Sequence, residues 1–313
     1  MRPFITGATG LVGANLVTAL VESGVEPVCL VRDSLPTSLY ETMSLRVDCV
    51  TVNGDIQDLH LLERVMVEYE IDTVFHLAAQ TIVRYGHQGP LSTFETNVRG
   101  TWNVLEAARN KGRMERVVIA SSDKAYGQHD PPYVETMALH GAYPYDVSKS
   151  CADLIAASYH ETYSLPVTVV RCSNLYGPGD LNWSRIIPRT IRFAVKKDVD
   201  LKLRGRGLMK RDYMHVDDAV SGYLAAASKP IAVGRSYNFG MGEPISISGV
   251  VQMTLDLLDY KGEQPEVTQE GENEITDQWM DCSRAKADLG WAPTYNLHRG
   301  LNKTIQWYRE YLK

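Results

Sequence analysis

Short apolar runs recur along the first two thirds of the chain, at Pro3–Thr6, Pro27–Val31, Cys49–Asn53, Thr73–His76, Arg116–Ser121 and Val167–Cys172. They are rich in Val and Ile and mostly apolar on both faces, the pattern of strands in a parallel sheet covered on both sides. Between them, apolar residues at three- to four-residue spacing predict helices over Leu11–Ser23, Leu59–Tyr69, Thr93–Lys111 and Tyr145–Tyr163. Strand and helix in alternation give right-handed βαβ units, and hence an α/β fold built on a Rossmann-type, doubly wound parallel sheet. After about Tyr176 the alternation loosens into Pro-, Gly- and charge-rich stretches ("GPGDLNW", "KLRGRGLMKRD", "MGEP"), and a last helix is expected near Leu297–Leu312. The pattern thus predicts a regular domain over residues 1–175 and a smaller mixed α/β part over 176–313, some segments of which return to the first.

Composition narrows the partners. The 313 residues carry a net charge of −6, and the one basic cluster, "RGRGLMKR" at 204–211, is short. Nucleic acid and anionic membranes are therefore not expected as main partners, and an anionic small molecule is the economical target of that cluster. Five scattered cysteines without a CxxC pair, and eight histidines without ligand spacing, predict neither a disulfide framework nor a metal site. No apolar run reaches the ~18 residues of a membrane span, and no charged and apolar leader precedes "MRPFITG", so a cytoplasmic protein is expected.

The first strand runs directly into "TGATGLVG", with Gly7, Gly10 and Gly13 spaced GxxGxxG. A tight turn needs the first glycine, close approach of backbone to a pyrophosphate the second, and close helix–strand packing the third. The following helix offers its first N–H groups to the anion. Gly7, Thr9, Gly10, Leu11, Val12 and Gly13 are thus the candidate cradle of a dinucleotide. An acid at the tip of the second strand would read the ribose of NAD, and an arginine would accept the extra phosphate of NADP; here Arg32 precedes Asp33, which leaves both open. Asp55, followed by Ile56 after the third strand, could meet adenine. Leu77, Ala78 and Ala79 in "FHLAAQ" are small to medium residues where a cofactor must pass closely.

"YPYDVSKS" places Tyr145 and Lys149 four apart, on one helix face. A phenol of pKa about 10 is a poor base at neutral pH, and a nearby ammonium together with a cationic nicotinamide should lower it. Ser122, at the end of the fifth strand, can hydrogen-bond the same substrate hydroxyl. Tyr, Lys and Ser beside a nicotinamide form a device for removing a hydroxyl proton while hydride leaves the carbon.

At this point the sequence resembles the extended short-chain dehydrogenase/reductases, the NAD-dependent nucleotide-sugar epimerases and dehydratases. The resemblance runs over nearly the whole chain, through "TGATGLVG", "HLAAQ", "ETNVRGTWNVLEAAR", "SSDKAYG", "YDVSK", "RCSNLYGPGD", "RDYMHVDDA" and "RAKADLGWAPTYNLHRGL". It implies NAD or NADP, tightly bound and recycled, in the first domain, and a nucleotide sugar held mainly by the second. It adds Asn97 to the cofactor side, with Tyr145 and Lys149. To the substrate side it adds Gln80, Arg84, Ser122, Asn174, Arg185 and Arg211, the last toward the diphosphate. It also implies a homodimer formed through the helices near Thr93–Lys111 and Tyr145–Tyr163.

The pair Asp123–Lys124, directly after Ser122, sharpens the reading. Members that only epimerise C4 need Ser, Tyr and Lys. Members that dehydrate need two more proton-transfer groups, one to take the C5 proton made acidic by a C4 ketone and one to help the C6 hydroxyl leave. The Asp-Lys version resembles CDP-glucose 4,6-dehydratases, as do "LAAQTIVR", "GDLNWSRIIPRTIR" and "EITDQWMDCSRAKADLGW". The resemblance therefore implies a nucleotide-sugar 4,6-dehydratase, a lyase, with Lys124 as the C5 base and Asp123 as the acid toward C6. A C4 epimerase of the same family and a non-catalytic cofactor-binding protein stand as alternatives.

Overall fold

The computed structural model of the chain describes residues 1–33, 36–269 and 275–313, without the side chain of Arg84. Seven strands form one sheet: β1 (Pro3–Thr6), β2 (Val28–Val31), β3 (Val50–Asn53), β4 (Thr73–His76), β5 (Arg116–Ser122), β6 (Val167–Cys172) and β7 (Ser236–Phe239). Their order is β7-β6-β5-β4-β1-β2-β3, with every neighbouring pair parallel. The strand order reverses between β1 and β4, so a crevice opens where the carboxyl ends of these strands diverge, the place where such sheets take ligands.

Alternation along each strand builds two cores. Ile5, Cys29, Val31, Phe75, Val118 and Val170 join one buried cluster. Their neighbours Phe4, Val28, Leu30, Val74, Val117 and Val169 join the other. Helices α1 (Leu11–Glu22) and α5 (Val216–Ser228) cover the first face. Helices α2 (Leu59–Glu68), α3 (Gly100–Lys111) and α4 (Pro144–Tyr163) cover the second. Burial on both faces is what makes the strands read as near-continuous apolar runs.

Two features depart from the periodicity. The helix expected over Thr93–Lys111 is three pieces: Pro90–Phe94, a wider π-turn over Glu95–Arg99, and α3. Thr101 Oγ1 donates to the Asn97 carbonyl at 2.6 Å inside the wide turn, and a Cβ at Gly100 would lie 2.3 Å from Ile56 Cδ1, so the helix comes down directly on the loop after β3. The second is that α5 and β7, from the loosely patterned C-terminal region, complete the main sheet. The remainder packs a separate cluster around Tyr176, Ile187, Ile191, Tyr213, Val250, Leu301, Ile305 and Tyr308. Among the described residues no helix is long and apolar enough to cross a membrane.

Candidate active site

The three loop glycines each answer a different steric demand. Gly7 has φ +77°, and a Cβ there would lie 2.6 Å from the Ala78 nitrogen. At Gly13 a Cβ would lie 2.0 Å from the Gly7 carbonyl oxygen, so α1 rests on the turn that precedes it. Gly10 is exposed, and the nearest atom to a Cβ is Gly7 O at 3.4 Å. Gly10 also caps α1 without a side-chain hydrogen bond, and no acid stands in the first turn. The first N–H groups of the helix, around Leu11 and Val12, therefore face the crevice without an internal anion. Thr9, Leu77, Ala78, Ala79 and Gln80 are all half-buried around the same opening. Arg32 and Asp33, exposed at the tip of β2, pair with each other at 2.6 Å. Asp55 Oδ1 accepts from Gln57 N at 2.9 Å, and Ile56 is buried under Gly100.

The strand end of β5 presents Ser122, Asp123 and Lys124. Ser122 Oγ donates to Asp123 Oδ1 at 3.0 Å and accepts from Lys124 N at 3.2 Å, which caps the single turn Asp123–Tyr126. Asp123 is buried; Ser122 and Lys124 are half-buried. Across from them, α4 begins with Pro144 at its first position and carries Tyr145 and Lys149. Lys149 is buried, its Nζ donating to the Ala120 carbonyl at 2.7 Å, and burial pushes its amine down to about 8 against the pull of Asp153.

Tyr145 differs from expectation. Burial pushes its phenol up to about 12, partly offset by a hydrogen bond with Ser122; Asp123 and Asp146 push the same way as burial and Arg185 against it. The Lys149 amine, from which a lowering is expected, donates to the Ala120 carbonyl. Ser122 thus bonds the Tyr145 phenol, and the charges of Asp123 and Arg185 act on it through space.

The remaining predicted residues are placed as follows. Asn97 is buried, its amide accepting from Gln80 N at 2.7 Å and donating to Gln80 O at 3.1 Å and to Ser148 Oγ at 2.8 Å; it fixes the Gln80 backbone against α4. Gln80 also lines a cavity of about 450 Å³ with Tyr85, Gln88, Gly89 and Ser92. Arg185 Nη1 donates to both oxygens of Asp180 at 3.1 Å. Asn174 Nδ2 donates to Asp212 O at 3.2 Å. The Arg211 guanidinium is buried and donates to the carbonyls of Ile275 at 2.6 Å, Lys210 at 2.8 Å and Thr276 at 3.0 Å. The Arg84 side chain lies outside the described residues.

The family model described as GDP-mannose 4,6 dehydratase matches residues 4–304. The chain belongs to that family. CDP-glucose 4,6-dehydratase of Salmonella typhimurium is 30% identical over 331 residues, covering 100% of this chain and 91% of that protein. The structure of dTDP-glucose 4,6-dehydratase from Bacillus anthracis in complex with NAD superposes with a TM-score of 0.89 at 29% identity, over 99% of this chain and 97% of that one. UDP-glucose 4-epimerase from Thermotoga maritima, solved with UDP-glucose, superposes at 0.92 and 25% identity over 100% of both chains. Dehydratases and epimerases thus share this fold, and side chains rather than architecture must separate them.

Within this family member two residues at the site were not singled out from sequence. Asp146, next to Tyr145, is buried, and burial pushes its carboxyl up to about 6 against the lowering by Lys124. Gln278, fully buried, accepts a hydrogen bond from Lys124 Nζ and donates from Nε2 to Asp123 O at 3.1 Å. Asp146 lies inside the quoted "YPYDVSKS", but helical spacing takes only Tyr145 and Lys149 from it. Gln278 lies inside the quoted "EITDQWMDCSRAKADLGW", but nothing in that stretch points it at Lys124, 154 residues away.

Proposed function

We propose that the chain is an NAD-dependent nucleotide-sugar 4,6-dehydratase that converts an NDP-hexose, CDP-glucose first among them, to the NDP-4-keto-6-deoxyhexose. The observation that carries this reading is the Asp123–Lys124 pair, directly after Ser122, with Asp123 acting on Tyr145 and Lys124 on its neighbour Asp146. A C4 epimerase needs no acid and amine at that place. The open space at Gly10 and the uncapped N–H groups of α1 fit a pyrophosphate, and the relative solved in complex with NAD supports that dinucleotide here. Residues 1–175 would hold the dinucleotide and 176–313 mainly the nucleotide sugar, with α5 and β7 serving the first.

Bound NAD supplies the hydride acceptor, a positive charge beside the phenol and, later, the hydride returned to C6. Ser122 orients the C4 hydroxyl and Tyr145 takes its proton as the C4–H bond gives up its electron pair. The C4 ketone acidifies C5–H, and Lys124, as the neutral amine, takes that proton. Asp123, in its acid form, gives a proton to the C6 hydroxyl, which leaves as water as the C5–C6 double bond forms. Hydride then reaches C6, Lys124 returns a proton to C5, and the Tyr145 proton restores Asp123. The sum is loss of one water with no net oxidation.

Lys124→Ala separates this from an epimerase. The variant should still oxidise C4, seen as reduced nicotinamide on mixing with substrate, while water loss falls ~10²–10⁴-fold. Undiminished water loss, or epimerisation untouched in a wild type that releases no water, would overturn the assignment.

A homodimer through α3 and α4 belongs to the same reading. Leu91, Trp102, Leu154 and Tyr163 on or beside these helices are 70%, 43%, 58% and 55% exposed, an apolar face without cover in one chain. Sedimentation should give twice the chain mass, and Leu154→Glu should return it to one.

A further inference from the structure

We propose that Gln278 is a positioning residue for the elimination half of the reaction, holding the Lys124 amine beside Asp123. The inference rests on the dehydratase reading above. Gln278 sits on the short strand Asp277–Gln278, which runs parallel to Lys210–Arg211 with Gln278 opposite Arg211. It is fully buried, and a buried primary amide needs a partner at each end. One end meets the Asp123 carbonyl oxygen at 3.1 Å, which can only accept, so that end is Nε2. The other end is then Oε1, an acceptor, and there Lys124 Nζ donates. Flipping the amide would set its oxygen against the Asp123 carbonyl oxygen, so the Asp123 contact defines one orientation.

A single side chain therefore ties the Lys124 amine to the backbone of Asp123. Lysine is a point charge on a flexible four-carbon stem, and its aim has to come from such a contact. The strand beneath Gln278 is itself anchored. Lys210 N donates to Thr276 O and to Asp277 Oδ1, each at 3.1 Å. Arg211, proposed for the substrate diphosphate, donates to Ile275 O and Thr276 O. Among the described residues Gln278 has no hydrogen bond to Ser122, Tyr145 or Lys149. Its loss should accordingly spare C4 oxidation and slow elimination.

The test uses the NAD-loaded full chain with the NDP-hexose that the wild type dehydrates. Reduced nicotinamide on rapid mixing reads oxidation; deuterium uptake at C5 and water loss, by mass spectrometry, read elimination. Gln278→Met should leave the rate and amplitude of reduction within about twofold and slow water loss about 10- to 100-fold, the size of effect that misplacing a reacting group produces. In a Lys124→Ala background the same change should slow the residual water loss no further, since its effect passes through that amine. Gln278→Asn, a shorter amide that cannot span both partners, should give the same split and serves if the Met variant fails to fold. Equal slowing of oxidation and elimination, water loss at the wild-type rate, or an effect that persists without Lys124 would each overturn the inference. A wild type that releases no water from any NDP-hexose would overturn the dehydratase reading instead, and that is read before any variant is made.

Discussion

One methyl group added at each of two loop glycines should have opposite consequences. At Gly13 the new Cβ would lie 2.0 Å from Gly7 O and 2.8 Å from Ala8 Cα and Gly7 C. All three neighbours are backbone, so no side chain can turn away and α1 has to lift off β1. Overpacking typically costs ~1–3 kcal/mol, and a backbone-on-backbone clash belongs at or above the top of that range. At Gly10 the conformation is ordinary for any residue, φ −80° and ψ 172°, and the nearest atom is 3.4 Å away. Alanine is a poorer helix cap than glycine, but it loses ~0.4–1 kcal/mol less chain entropy on folding. These effects offset, so Gly10→Ala should change stability by no more than about 1 kcal/mol. Its methyl group instead stands in the space proposed for the pyrophosphate. Urea unfolding of the NAD-free proteins, with NAD titrated separately, reads both effects. Gly13→Ala should lose about 3 kcal/mol or more, while Gly10→Ala should fold normally and lose NAD affinity. A Gly10→Ala protein as unstable as Gly13→Ala, or one that binds NAD like the wild type, would refute the division of labour among the glycines.

Arg171 and Asp153, both buried, form a two-pronged ion pair at 2.8 and 2.9 Å, with the guanidinium 4.8 Å over the Tyr126 ring; Arg171→Ala should cost ~3–5 kcal/mol in urea unfolding, and adding Asp153→Ala should recover part of it. Asp146 is held at about 6 in the folded chain, above its ordinary 3.8. Its stabilisation is then fully present below the ordinary value and is lost as pH rises through about 6. Asp146→Asn should remove that loss, gaining up to about 3 kcal/mol on the wild type between pH about 4 and 7; parallel stability–pH curves would contradict the burial argument. Tyr145→Phe should keep NAD content and reduce C4 oxidation by ~10²–10⁴-fold; unchanged oxidation would remove Tyr145 from the proton path.

Much of the fold was legible because its strands are buried on both faces and therefore announce themselves. Pro3–Thr6, Thr73–His76 and Val167–Cys172 have the bounds read from the apolar runs, and the helices over Leu11–Ser23 and Leu59–Tyr69 end one residue early. The break in Thr93–Lys111 was hidden because a π-turn alters apolar spacing by a single residue, and the packing of Gly100 on Ile56 just after it is a contact between distant segments. The strand Ser236–Phe239 carries Ser, Tyr and Asn among its four residues, so it lacks the apolar signature of its neighbours although it pairs fully with β6. At the site, what local spacing can express was readable: Gly7, Gly10 and Gly13, Tyr145 with Lys149, and Ser122 with Asp123 and Lys124. Electrostatic environment was not. The phenol of Tyr145 rises because of burial, and burial is a property of the packed molecule, as is the reach of Gln278 to Lys124.

The most direct test of the central claim is mass spectrometry of nucleotide sugars incubated with the NAD-loaded protein without added reductant: CDP-glucose, dTDP-glucose, GDP-mannose, UDP-glucose and UDP-N-acetylglucosamine. The account predicts a product lighter by one water, from CDP-glucose foremost, with no net change in bound NAD. A product of unchanged mass that separates as a new isomer would contradict it and make the chain an epimerase in which Asp123 and Lys124 perform no elimination.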